Sequence, residues 1–167
     1  MAKTFRGEWR HKVDGKGRVS MPAPFRKVLE AGDPDWADGL PPKVVLLYGR
    51  QPGCLEGYTL EGAAYLDALV AKLPRFSPQK KALSRLISTQ SVELDVDPGG
   101  RLVLSQKLRE RVGIADEAVF VGMTENFEIW SPEAYEADAA DLEQTIAEED
   151  GSDLYALLQS VEEKFGG

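Results

Sequence analysis

The chain has one cysteine, Cys54, and one histidine, His11. A single thiol cannot close a disulfide within the chain. One His and one Cys also fall short of the nitrogen and sulfur ligands a zinc site needs, so no metal and no cofactor is expected. Cys–His catalysis would require Cys54 beside His11, and no spacing brings them together. Gly15-Lys16 is not a phosphate-binding loop, because Arg10 and Gly17 stand where that motif needs an upstream glycine and a following Ser or Thr. The carboxylates are many but lie in loops and the tail, as solvated charges do, and no catalytic constellation forms. No apolar run reaches the roughly 18 residues of a membrane span. The first ten residues, MAKTFRGEWR, lack the apolar stretch of a secretory signal. The expectation is a cytoplasmic protein away from the membrane, and not an enzyme.

Cations are also in deficit, 20 Lys and Arg against 28 Asp and Glu, for a net charge of −8. That balance argues against a polyanionic partner until its distribution is considered. Residues 1–29 hold eight Lys or Arg against Glu8 and Asp14, and residues 75–91 hold four with no acid. Residues 131–167 hold eleven acids against Lys164 alone. The acidity belongs mainly to the C-terminal tail, and two segments are locally basic.

What is present is a repeat. Val13–Pro22 reads VDGKGRVSMP, and VDPGGRLVLS follows 83 positions later at Val96–Ser105. Each copy sets Asp, then Gly three on, then Arg: Asp14, Gly17 and Arg18, and Asp97, Gly100 and Arg101. A fixed internal offset implies one structural unit written twice. Gly17 suits the positive φ of a tight turn, and Asp14 suits an Asx turn. The Asp–Arg pairs pin the tips, and Arg18 and Arg101 keep donors to spare for phosphate. Lys16 at the first tip is replaced by Gly99 at the second, and Pro98 follows Asp97.

Residues 5–13 alternate, with Phe5, Trp9 and Val13 on one face and Arg6, Glu8, Arg10 and Lys12 on the other. This predicts a half-buried strand with a basic outer row, its return strand following the turn. Val92, Leu94 and Val96 repeat the alternation, but their outer row is Ser91, Glu93 and Asp95. If nucleic acid binds, the first half should carry more of the affinity. Short helices are predicted after each tip, the second capped by Ser105, with Arg26 and Arg109 in equivalent structural places. Residues 31–42 read as a loop. Strand pairs are predicted at 43–48 with 54–58 and at 118–121 with 127–130. Helices are expected at 60–73 and from Ser77-Pro78, with Leu83, Leu86 and Ile87 on the buried side of the latter. The tail predicts one helix from Ser131-Pro132, a break at 148–151, and a final helix capped by Asp153 with Leu154, Leu158, Val161 and Phe165 on one stripe.

The segments FRGEW at 5–9, DGKGRVSMP at 14–22, Phe25-Arg26, and DPGGRL at 97–102 resemble the MraZ family of bacterial transcriptional regulators, of the SpoVT/AbrB type. GCLEGYTLE at 53–61 and NFEIWSPEAY at 126–135 add to the likeness. The resemblance implies an α+β, mainly β fold: a swapped-hairpin AbrB-like barrel built from two internal repeats, with flanking helices. On this reading residues 5–60 and 91–134 are the repeats, 61–90 connect them, and 135–167 form an acidic helical tail. It further implies double-stranded DNA as partner, through repeated promoter boxes of the division and cell-wall gene cluster, and a ring-shaped homo-oligomer at the nucleoid. The family's loop motif maps onto Lys16, Arg18 and Arg101 as DNA-facing residues. The alternation adds Arg6, Arg10 and Lys12, and Asp14, Gly17, Asp97 and Gly100 build the turns. An antitoxin-like relative, whose C-terminal region binds a protein, is the alternative.

Overall fold

A computed structural model describes residues 4–148 and 154–166. The chain divides into two compact units, 1–132 and 133–167. In the first unit one order of elements occurs twice. It begins with β1 (Glu8–Lys12), β2 (Arg18–Ser20), α1 (Ala23–Ala31), β3 (Lys43–Leu47) and β4 (Cys54–Tyr58). The helices α2 (Leu60–Ala71) and α3 (Pro78–Thr89) follow. Then come β5 (Ser91–Asp95), β6 (Arg101–Val103), α4 (Gln106–Val112), β7 (Glu117–Gly122) and β8 (Phe127–Trp130).

The strands of each half pair with those of the other. One antiparallel sheet runs β1-β7-β8-β4-β3-β5, and a separate ribbon pairs β2 with β6. The predicted pairs β3–β4 and β7–β8 form, but β1 and β2 do not make a paired hairpin. Among the described residues they are joined by the bridge Val13↔Val19 and by the turn bonds of the tip itself. Each tip is also bonded to the other half: Leu104 N donates to Gly17 O at 2.8 Å, and Met21 N to Gly100 O at 2.9 Å. The crossing sends Val19 and Leu102, 1% and 0% exposed, into a shared core instead of leaving each half to cover its own.

β1 and β5 are the edges of the six-stranded sheet, and a closed barrel is not found among the described residues. More of those residues lie in helices than in strands, so the fold is mixed α and β rather than mainly β. The core gathers Phe5, Phe25, Phe120 and Phe127 with the apolar rows of both halves. Phe25 is edge-on to Phe5 at 5.2 Å and lies 5.1 Å from Phe127. Such aromatic pairs add about 0.5–1.5 kcal/mol beyond the area they bury. α4 starts where Ser105 accepts from Leu108 N at 3.2 Å, as its sequence predicts, and stops at Gly113 with φ 73°. α1 has Pro22 at its cap and no side-chain cap bond.

Pairing across halves makes a residue at the centre meet its own counterpart. Val19 faces Leu102, its partner 83 positions on, and two apolar groups fit there without cost. At the centre of β4 and β8, Glu56 faces Glu128, and both are buried. Like charges directly opposite destabilise a strand pair. Arg50 answers Glu56 with a two-pronged contact at 2.6–3.1 Å, and Tyr58 OH donates to it at 3.1 Å. Burial, followed by the nearby Glu56 charge, pushes the Tyr58 hydroxyl pKa up, so it stays a donor. Trp130 Nε1 donates to Glu128 at 3.1 Å.

No residue of α2 or α3 is buried. Leu83, expected on the covered side of α3, is 39% exposed, and Phe76 between the helices is 93% exposed. In the second unit α5 (Pro132–Glu148) and α6 (Leu154–Phe165) are helical as their spacing predicts. Tyr155, Leu158, Val161 and Phe165 of α6 are exposed. The break predicted at 148–151 begins at Glu148, the last described residue of α5, and its remainder and the Asp153 cap lie outside the described residues. Among the described residues no helix is long and apolar enough to cross a membrane.

Candidate nucleic-acid interface

Each tip is built by its aspartate. Asp14 Oδ1 accepts from Lys16 N and Arg18 N, both at 2.9 Å, and Asp97 Oδ1 accepts from Arg101 N at 2.8 Å. Gly17 and Gly100 take φ of 83° and 78°. A Cβ on Gly17 would lie 2.0 Å from Leu104 O, and one on Gly100 would lie 2.4 Å from Arg26 Nη1. Arg26 and Arg109 therefore fill in behind the tip of the opposite half, with Arg109 Nε donating to Leu104 O at 3.1 Å. Neither role was visible in the sequence, where both arginines simply belonged to helices.

The arginines of the tips are both pinned and presented. Arg18 Nε donates to Asp14 at 2.6 Å, and Arg101 Nε stands 3.4 Å from Asp97. The Arg18 backbone N–H and then its guanidinium lower the Asp14 pKa to about 2. The Arg101 backbone N–H likewise lowers Asp97. The Arg18 and Arg101 side chains remain 38% and 43% exposed, so neither is turned into the core.

The register then brings them together. Arg18 faces Val103 and Ser20 faces Arg101 across the β2–β6 ribbon. Residues alternate faces along a strand, so Arg18, Ser20, Arg101 and Val103 share the face opposite buried Val19 and Leu102. Sequence reasoning named the arginines but missed that one ribbon joins them. It also passed over Ser20 and Val103, which the two-residue period from each arginine would have flagged.

The other predicted residues divide. Lys12 lines a hollow of about 520 Å³ with Arg18, Ser20 and Arg101. Asp14, Asp116 and Glu117 line it too, so its cations are matched by carboxylates. Arg10 is exposed on β1 and pairs with Glu117 at 3.6 Å. Arg6 lies before β1 and donates to Thr4 Oγ1 at 3.1 Å, outside the hollow. Lys16 is exposed at the first tip and makes no ion pair with any described residue. On the far edge the signs reverse: Lys43 Nζ binds Asp95 at 2.7 Å, and that bond raises the lysine pKa. Among the described residues no group of three or more His, Cys, Asp or Glu could hold a metal.

The comparisons with known proteins decide the family. A Transcriptional regulator MraZ of Ruegeria pomeroyi is 48% identical over 139 residues, covering 83% of this chain and 83% of the relative. The chain belongs to the MraZ family. Another MraZ regulator, from a Ruegeria species, is 47% identical over 150 residues, covering 89% of this chain and 90% of its own. One from Cereibacter sphaeroides is 38% identical over 168 residues, covering 96% and 99%. The family model described as "MraZ protein, putative antitoxin-like" matches residues 87–154. MraZ proteins are transcriptional regulators and not enzymes, which agrees with a sequence that offers no catalytic constellation.

Proposed function

We propose that the chain is a sequence-specific DNA-binding transcriptional regulator that lays the β2–β6 ribbon in the major groove. A groove about 12 Å wide admits a two-stranded ribbon. The observation that carries the reading is the union of Arg18 and Arg101, one from each half, on a single exposed ribbon face. Lys16 at the first tip and Lys12 beside the ribbon supply phosphate contacts, which position without specifying sequence. The arginines specify, guanine being their commonest base partner. Arg6 and Arg10 contribute at the margin, since Arg10 already holds Glu117. Asp14 and Asp97 hold each arginine in place while leaving donors for DNA.

One ribbon makes few contacts, so affinity comes from several copies on one assembly facing repeated boxes. We assign the assembly as a ring-shaped homo-oligomer and its target as repeats upstream of the division and cell-wall gene cluster. Binding there puts it on the nucleoid in the cytoplasm. The cross-half pairing supports a swapped-hairpin, AbrB-like unit made of residues 5–60 and 91–134, with 61–90 as connector and 135–167 as the acidic tail. Footprinting on the DNA upstream of the chain's own gene, with native mass measurement of the bound species, tests this. Evenly spaced protected boxes under a multi-copy species are expected, and a protein bound to no DNA segment would overturn it.

The exposed apolar side chains of α6 favour a second role, an antitoxin-like tail that holds a protein partner. A pull-down with residues 1–132 against the full chain separates the two. Loss of a specific captured protein on truncation supports the second role, and identical capture rejects it.

A further inference from the structure

On the exposed ribbon face the two halves differ at one pair of equivalent positions. Arg18 corresponds to Arg101, and the residue two places on is Ser20 in the first half and Val103 in the second. Val103 sits directly opposite Arg18 and is 49% exposed. Its neighbours Leu102 and Leu104 are fully buried, so the core takes the alternate residues and makes no use of it. A branched apolar side chain between two arginines costs solubility and adds nothing to phosphate binding.

Resting on the DNA-binding reading above, we infer that Val103 is a specificity-determining residue, packing on the C5-methyl group of a thymine beside the base that Arg18 reads. The major-groove edge of thymine differs from other edges in that methyl group, and small apolar side chains are its usual partners. Ser20, beside Arg101, offers a hydroxyl that either donates or accepts and so discriminates less. The two arms of the ribbon thus read different base pairs despite their common backbone.

The test uses the full chain and duplexes from its own upstream region. One duplex carries thymine, and in the other deoxyuridine, which lacks the methyl, replaces each thymine of the protected box. Burying one methyl group corresponds to about a threefold to fivefold change in affinity. The native chain should bind the thymine duplex tighter by that factor. Val103→Ser should bind both duplexes alike, at the level of the native chain on deoxyuridine. That substitution installs the residue the first strand already carries at its equivalent exposed place, and circular dichroism checks the fold. Ser20→Val should widen the preference for thymine. Equal binding of both duplexes by the native chain would overturn the inference while leaving DNA binding intact, as would a preference that survives in Val103→Ser. No binding of either duplex by the folded native chain would sink the DNA reading and this inference with it.

Discussion

The first tip, Asp14–Arg18, carries Lys16 and follows an edge strand whose outer row includes Arg10 and Lys12. The second, Asp97–Arg101, carries Gly99 and follows an edge strand whose outer row holds Glu93 and Asp95. The backbones nonetheless match bond for bond. Asp14 N donates to Arg18 O at 3.0 Å and Asp97 N to Arg101 O at 2.9 Å. Gly17 N donates to Asp14 O at 3.0 Å and Gly100 N to Asp97 O at 2.9 Å. Geometry is held by Asp, Gly and Arg, which both copies keep. The outward charges lie outside that frame and are free to differ. The two tips share one backbone scaffold and differ in the charges they present.

The two tips should differ most at their glycines. Both need positive φ, a strain of about 1–3 kcal/mol for other residues. Gly17 in addition meets the backbone oxygen of Leu104, which cannot move alone, whereas Gly100 meets the flexible end of Arg26. Gly17→Ala should cost about 3 kcal/mol or more and Gly100→Ala about 1–2 kcal/mol in urea unfolding. Equal losses would contradict the asymmetry. Removing the guanidinium from buried Glu56 comes next. Arg50→Ala should destabilise by about 2–3 kcal/mol, discounted because the arginine is half exposed. Glu56→Leu added to it should recover much of that loss, since two facing carboxylates become one.

On DNA the halves should separate more gently. Arg18→Ala and Arg101→Ala should each weaken binding about tenfold, near the low end for a bidentate base contact. Lys16→Ala should lower the salt slope by about 0.9 for each bound ribbon, as one lost phosphate contact per copy does. Gly99→Ser in the second tip should leave that slope unchanged. Capping gives a smaller contrast: Ser105→Ala should cost about 1 kcal/mol, while α1 has no such bond to lose. Acid gives the last. Asp14 falls from the ordinary 3.8 to about 2 in the folded chain. The unfolded chain therefore takes up the proton first. The contribution of Asp14 to the tip is complete above about pH 4 and is lost as pH falls through about 2. Asp97 shifts the same way, so both carboxyls should titrate below free aspartate by NMR.

Much of the first unit was legible in the sequence, because its signals are local. Alternation marked β1 and β5, glycine and aspartate marked the tips, and Ser105, Ser77 and the prolines marked helix starts. The candidate residues Arg18 and Arg101 stood out from the repeat, and their meeting on one ribbon did not. The pairing was not legible. Whether β2 folds back on β1 or crosses to β6 is decided by where Val19 and Leu102 find a common core, which is a long-range matter. The same holds for Glu56, whose partner at the centre follows from register alone. Salt-bridge neighbours were hidden too: nothing near Arg10 in the sequence announces Glu117. On α3, Leu86 and Ile87 are half-buried while Leu83 is exposed, because apolar spacing gives a helix its stripe without naming what covers it.

Whether Arg18 and Arg101 act as one DNA-reading face is decided by a double-mutant cycle. Affinity for the upstream duplex would be measured for the native chain, each Arg→Ala variant and the double variant, with circular dichroism on every sample. Tenfold losses in each single variant, with the double variant falling to the level of unrelated DNA while still folded, is the predicted result. Native affinity in the folded double variant would contradict it.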